Sequence, residues 1–175
     1  MKLEFGGGKK PRGDGWVNVD QCQEADVIHN LNLRPWPFAD DSAGEIYSSH
    51  CLEHLIQPVE VLREVARIGK LGAKVEIRVP APYSDLAMVV GHLHVFAPMA
   101  AENIDKHFVA DFWNGPKRLK LDRYHYSSCE RLAKAKMVLP YLDNLDDQLI
   151  MEFVPGTAHE VTYFYHVIEN ECYKP

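Results

Sequence analysis

Leu3-Glu4-Phe5-Gly6-Gly7-Gly8, followed by Trp16-Val17-Asn18-Val19-Asp20, is the stretch that decides the fold. A short apolar segment running into three glycines reads as a strand whose exit turns tightly and lets the backbone approach a ligand closely. The second segment reads as a strand ending in a carboxylate. A carboxylate there is placed to accept hydrogen bonds from the two hydroxyls of a ribose. Alone, the glycines fit a ligand-free turn equally well. With Asp20 they point to a nucleoside-containing cofactor near the start of the fold.

Working outward, Val27-Ile28-His29 reads as a third short strand, and Asn30 to Phe38, interrupted by Pro35 and Pro37, is excluded from helix. Glu45-Ile46-Tyr47-Ser48-Ser49 reads as a fourth strand. Pro58 to Ile68 is the clearest helix: proline in its first turn, Glu60 and Glu64 early, Arg67 and Lys70 late, and an apolar stripe of Val61, Leu62, Val65 and Ile68. Gly69 and Gly72 stop it. Lys74 to Pro80 alternates as a strand. Strands followed by helix and strand predict a mostly parallel α/β sheet. Residues 81–140 have no steady period and are read as a cap over the sheet's C-terminal edge, with short helices near Pro98–Asp105 and Ser127–Ala135. Leu149 to Val154, a turn at Pro155-Gly156-Thr157, and Val161 to Ile168 read as a closing hairpin. Both faces of the last strand are apolar, as for a strand inside the sheet.

The 175 residues are most simply one domain, 46% hydrophobic and so able to bury a core. No apolar run approaches a membrane span, and no leader sequence is expected. The four cysteines (Cys22, Cys51, Cys129, Cys172) are scattered, the usage of a reduced cytoplasmic protein rather than a disulfide or zinc scaffold. A net charge of −6 argues against nucleic acid as a partner.

Five segments in order resemble the small class I S-adenosylmethionine-dependent methyltransferases of the type 11 kind. Glu4-Phe5-Gly6-Gly7-Gly8 is similar to that family's acidic-x-Gly-x-Gly loop, and Val17-Asn18-Val19-Asp20 to its ribose-binding strand end. Ala25 to Leu31 resembles the third-strand motif that meets the adenine, and Pro35 to Asp40 and His50-Cys51-Leu52-Glu53-His54-Leu55 resemble two further signatures. The resemblance implies a Rossmann-like seven-stranded sheet, mostly parallel with an antiparallel last strand. It implies S-adenosylmethionine as cofactor, S-adenosylhomocysteine as product, and methyl transfer by in-line displacement. It also implies site residues. Phe5, Gly6, Gly7 and Gly8 pass beneath the methionine portion, whose end needs backbone donors and acceptors. Asp20 and Gln21 hold the ribose side, and Asn30, Leu31 and Asn32 frame the adenine. Asn30 stands where the family usually has an acid, so it offers an uncharged acceptor. His50 lies near the sulfonium. Lys10-Pro11-Arg12-Gly13-Asp14-Gly15 leaves no room for the usual first helix. The cover missing at the N-terminal side then has to come from the cap or from a second subunit, as in a homodimer. The methyl acceptor is not legible; a small molecule is favoured.

Rival readings attach to the histidines. His50-Cys51-Leu52-Glu53-His54 also fits the H-x-x-E-H pattern of zinc peptidases, with Glu130 a downstream acid. The pattern is short and abuts a strand and the Gln57-Pro58 break, so no metal is assigned. His94 is the candidate substrate-side base, with His92 and Tyr83 behind it; His107 and His125 fit buried hydrogen-bonding roles as well. Methyl transfer to a nucleophilic acceptor needs alignment and desolvation more than a base. Lys117 to Arg123, flanked by Trp113, Tyr124 and Tyr126, reads as a solvated basic loop. A module that binds the cofactor without catalysis is the second class of reading.

Overall fold

Each early apolar run becomes a strand. The computed structural model describes residues 1–9, 11–106, 109–128, 130–153 and 157–174. Strands β1 (Lys2–Phe5), β2 (Trp16–Asp20), β3 (Val27–Ile28), β4 (Ala43–Ser49) and β5 (Gly69–Pro80) run parallel. β6 (Lys117–Ser128) and β7 (Ala158–Glu169) complete a seven-stranded sheet of order β3-β2-β1-β4-β5-β7-β6, with β7 antiparallel to both neighbours. The expected mostly parallel sheet with a reversed last strand is what forms. Lys10, His107, Cys129, the turn at Pro155-Gly156 and the side chain of Glu130 lie outside the described residues.

Helix α1 (Pro58–Ile68) has the bounds its sequence predicts. Val61, Leu62, Val65, Ala66 and Ile68 are buried, and the Gly69 N–H closes the last turn on the Val65 carbonyl. At roughly 1.5–3 kcal/mol for each fully buried Val, Leu or Ile, this stripe is what seats the helix. Helices α2 (Pro98–Lys106), α3 (Val109–Phe112), α4 (Glu130–Val138) and α5 (Asp147–Phe153) follow.

Two expectations are corrected. The basic run Lys117–Arg123 is not a loop but the start of edge strand β6, so the stretch read as a cap contains a strand of the sheet. The closing hairpin does not form, because Leu149 to Phe153 belongs to α5 and β7 pairs with β5 and β6 instead. Asp146 starts that helix: its Oδ1 accepts from the N–H groups of Gln148 at 2.9 Å and Leu149 at 3.3 Å.

The two faces of the sheet differ in kind. Leu3, Ile46, Val75, Tyr165 and Leu121 align across five strands on one face, which joins α1 and the later helices in a single core. On the other face the register runs Glu4, Tyr47, Glu76, Phe164 and Arg123, and none of these belongs to that core. Among the described residues no helix connects β1 to β2, β2 to β3 or β3 to β4. Side chains rather than helices cover this face. The Arg12 guanidinium lies 3.8 Å from the centre of the Tyr47 ring and 5.0 Å from that of Trp16, and Arg123 lies 4.3 Å from Phe164. Sheets of parallel strands are usually buried on both sides; here one side is half wet.

Candidate functional site

The C-terminal ends of β1, β2 and β4 surround a cleft of about 200 Å³. It is lined by Gly6, Asp20, Gln21, His29, Leu31, Asn32, His50, Cys51, His54 and Leu55. Six residues named from sequence are thus brought together: Gly6, Asp20, Gln21, Leu31, Asn32 and His50.

The glycine loop is stapled to β2. Gly6 N–H donates to the Val19 carbonyl at 3.0 Å, Gly7 N–H to Asn18 Oδ1 at 3.1 Å, and Gly8 N–H to Asp20 Oδ2 at 3.0 Å. Buried Asn18 returns a bond from Nδ2 to the Gly8 carbonyl at 3.0 Å. The three N–H groups expected to serve a ligand are therefore engaged within the protein. Gly7 and Gly8 do not line the cleft.

Gly6 is required twice over. Its φ is +74°, and a Cβ there would stand 2.5 Å from Cys51 Cβ. Gly8, at φ +53°, has nothing within 4 Å of that position. Gly6→Ala is therefore expected to cost about 3 kcal/mol, combining left-handed strain with overpacking, against about 1–2 kcal/mol for Gly8→Ala. Thermal melts of the two variants check this; equal losses would contradict the packing role of Gly6.

Asp20 is held from both sides, Oδ2 by Gly8 and Oδ1 by the Cys22 N–H at 3.0 Å. Across the cleft the polypeptide carrying Leu31 and Asn32 is fixed by three bonds. Asn30 Oδ1 accepts from Asn32 N–H at 3.0 Å, Asn32 Oδ1 from Ile56 N–H at 2.8 Å, and the Leu31 carbonyl from Trp36 Nε1 at 3.1 Å. Asn30 spends its acceptor inside this turn and does not line the cleft. Phe5 does not line it either; it is buried against Trp36, ring centres 4.6 Å apart.

His50 closes the β4 end at φ +51°, its ring between two acids. Nδ1 lies 3.4 Å from Glu53 Oε1 and Nε2 3.4 Å from Glu160 Oε2. Glu53 raises the imidazole pKa above its usual value, burial opposes this, and Glu160 adds to the rise. Cys51 beside it is pushed up to about 12 by burial, so it stays a thiol.

His94 is not brought to the cleft. Its Nε2 lies 3.3 Å from the Ile56 carbonyl, while Tyr83 is largely exposed. His29, Cys51, His54 and Leu55 line the cleft without having been read as binding residues. Cys51, His54 and Leu55 stood in the quoted post-strand motif, and His29 directly follows β3; position at strand ends was the signal available.

A family model described as a methyltransferase domain matches residues 16–77. A search of curated proteins finds no match. Among solved structures the chain is similar to a SAM-dependent methyltransferase from Archaeoglobus fulgidus, at 14% identity over 94% of this chain and 85% of that one, TM-score 0.63. It is similar to the [4+2]-cyclase SpnF at 12% identity over 94% and 74%, TM-score 0.60. It is also similar to a chain in the complex between the Haloferax volcanii Trm112 methyltransferase activator and the putative methyltransferase, at 13% identity over 94% and 81%, TM-score 0.57. Identities this low speak to the fold, while the family model speaks to the segment from β2 into β5. Residues 16–77 match a methyltransferase-domain model, and the chain that contains them has the fold seen in SAM-dependent methyltransferases.

Proposed function

We propose that the chain binds S-adenosylmethionine in the cleft between β1, β2 and β4 and transfers its methyl group to a small-molecule acceptor. The observation that carries this is one of coincidence: every residue lining the cleft except Gly6 falls inside the 16–77 match. The cleft also sits outside the carboxyl ends of parallel strands, where ligands of open α/β sheets bind.

When bound, S-adenosylmethionine supplies an electrophilic methyl group carried on a sulfonium. On this reading Asp20 receives the ribose hydroxyls with the lone pairs left over from Gly8 and Cys22. Gln21 flanks it, and Leu31, Asn32 and Leu55 bracket the base. Gly6 passes beneath the amino-acid end, with Phe5, Gly7 and Gly8 as its support. His50, whose pKa the neighbouring Glu53 and Glu160 raise, closes the β4 end beside the place proposed for the sulfonium. Residues 91–96 supply part of a cover: Leu93 N–H donates to the Glu53 carbonyl at 2.8 Å, and Tyr163 Oη to the Phe96 carbonyl at 3.3 Å.

Titration calorimetry with S-adenosylhomocysteine tests this reading. Saturable heat with one site per chain is expected, and absence of heat with both forms of the cofactor removes it. A second reading, binding without turnover, is favoured by the engaged glycine N–H groups and by Asn30, which leave fewer donors and acceptors for the cofactor than the sequence promised. Cofactor binding with no label transferred from methyl-labelled cofactor across a broad acceptor panel would select it.

A further inference from the structure

Glu53 is a buried acid in search of a cation. It lies on a 3-10 turn, Leu52–His54, and is 0% exposed. Neither carboxylate oxygen receives a hydrogen bond among the described residues, and the nearby His50 Nδ1 is 3.4 Å away. A buried carboxylate that accepts no hydrogen bond is costly. Next to it, His92 Nδ1 is also buried and without a hydrogen-bond partner. Glu53, His54 and His92 each present a ligand atom, all within 4.8 Å of one another.

The surrounding backbone holds these three together. Leu93 N–H donates to the Glu53 carbonyl, which clips the segment carrying His92 onto the turn. His54 Nδ1 lies 3.2 Å from the Gly91 carbonyl. A carbonyl only accepts, so that contact places the proton on Nδ1 and leaves Nε2 with a free lone pair, the arrangement that orients a metal-binding imidazole. The His54 and His92 rings meet edge to face, centres 4.6 Å apart.

We propose that Glu53, His54 and His92 form a binding site for a divalent transition metal of the zinc class. Two imidazoles and one carboxylate suit such an ion, whereas calcium and magnesium take all-oxygen sets. Bonds of about 2.0–2.2 Å put two ligands no more than about 4.4 Å apart, a spacing comparable with the 4.8 Å within which these ligand atoms already lie. The H-x-x-E-H pattern had paired His50 with His54; here His50 faces Glu160, and His92, from beyond β5, takes its place. Three protein ligands leave a coordination position open. His54 also lines the cleft, so the ion sits at its edge, where it can hold an acceptor with an ionisable oxygen or sulfur. The metal site itself does not rest on the methyl-transfer reading.

The test uses the full chain stripped by chelator, dialysed against Zn²⁺ or Co²⁺, with elemental analysis and visible absorption of the cobalt form. One equivalent per chain is expected, with a cobalt spectrum typical of nitrogen and oxygen ligands. His92→Ala and His54→Ala are expected to weaken uptake by at least about a hundredfold, since losing an outer-shell partner alone costs about 10–100-fold. Should His92→Ala fail to fold, His92→Gln carries the test. Absence of stoichiometric uptake overturns the proposal, and so does uptake of unchanged affinity in both variants. S-Adenosylhomocysteine calorimetry on the same samples separates the two claims: cofactor heat without metal uptake removes only the metal site, and the reverse removes only the cofactor reading.

Discussion

Asp20→Ala is expected to abolish measurable binding of S-adenosylhomocysteine. The carboxylate already holds Gly8 and Cys22 through one lone pair on each oxygen, at 3.0 Å in both cases. On the proposed reading the two remaining lone pairs take the ribose hydroxyls. Hydrogen bonds to a charged group contribute about 1.5–3 kcal/mol each, so losing two weakens binding by about 10²–10⁴-fold. The truncation also releases Gly8, slackening the loop that ends β1. Asp20→Asn separates these effects. An amide offers a single oxygen and turns an NH₂ group toward one of the two backbone N–H donors, so it loses part of the clamp and one hydroxyl. Its affinity should fall between wild type and Asp20→Ala. Calorimetry on all three chains decides; unchanged affinity in a folded Asp20→Ala would remove Asp20 from the site.

Local signals made the first half of the chain legible. β1, β2 and α1 announce themselves through alternation, glycine exit, first-turn proline and dipole-matched charges, and none of these needs a distant partner. β6 was missed because it is an edge strand with one open face. Edge strands carry charge to discourage further pairing, so Lys117, Arg118, Lys120 and Arg123 resembled a solvated loop. A register shift between Leu121 and Arg123 also breaks the alternation that would have revealed the strand. Leu149 to Phe153 was misread for another reason. A short apolar run does not distinguish a buried strand from a buried helix, and the usable clue was Asp146, a capping acid just upstream.

Site residues divide along the same line. Gly6 and Asp20 were legible because strand-end geometry is local. The engagement of the glycine N–H groups was not, since it depends on how Asn18 and Asp20 of β2 turn toward the loop after β1. The turn at Asn30 was not legible for a similar reason: its side chain closes on Asn32 two residues away, a competition between turn and ligand that residue type alone does not settle. His92 and Glu53 are separated by the whole of α1 and β5, and only the folded chain brings them together.

Glu64→Gln is expected to be the most destabilising conservative substitution in α1, at about 3 kcal/mol, because it breaks one side of a largely buried ion pair. Glu64 Oε2 accepts from the Trp36 N–H at 2.8 Å, and the Arg67 guanidinium holds both carboxylate oxygens at 2.8 Å. Arg67 extends the network to the Phe38 and Trp36 carbonyls and to Asp40. A glutamine can still accept from Trp36, but its NH₂ then faces a guanidinium with no charge to meet it. Burial by itself would raise the Glu64 pKa; the bonds from Arg67 and Trp36 outweigh it and leave the carboxyl below its usual range. The sign follows. Because the folded pKa is depressed, the contribution is fully present above the unfolded value of about 4.3 and is lost as pH falls through the folded value. Urea unfolding of both chains at neutral and acid pH should therefore show a gap that narrows in acid, and a gap independent of pH would contradict the ion-pair account. The consequence reaches the cleft, since Trp36 packs on Phe5 and donates to the Leu31 carbonyl. Loosening Trp36 frees the wall that carries Leu31, so Glu64→Gln should weaken S-adenosylhomocysteine binding even at temperatures where the variant is fully folded.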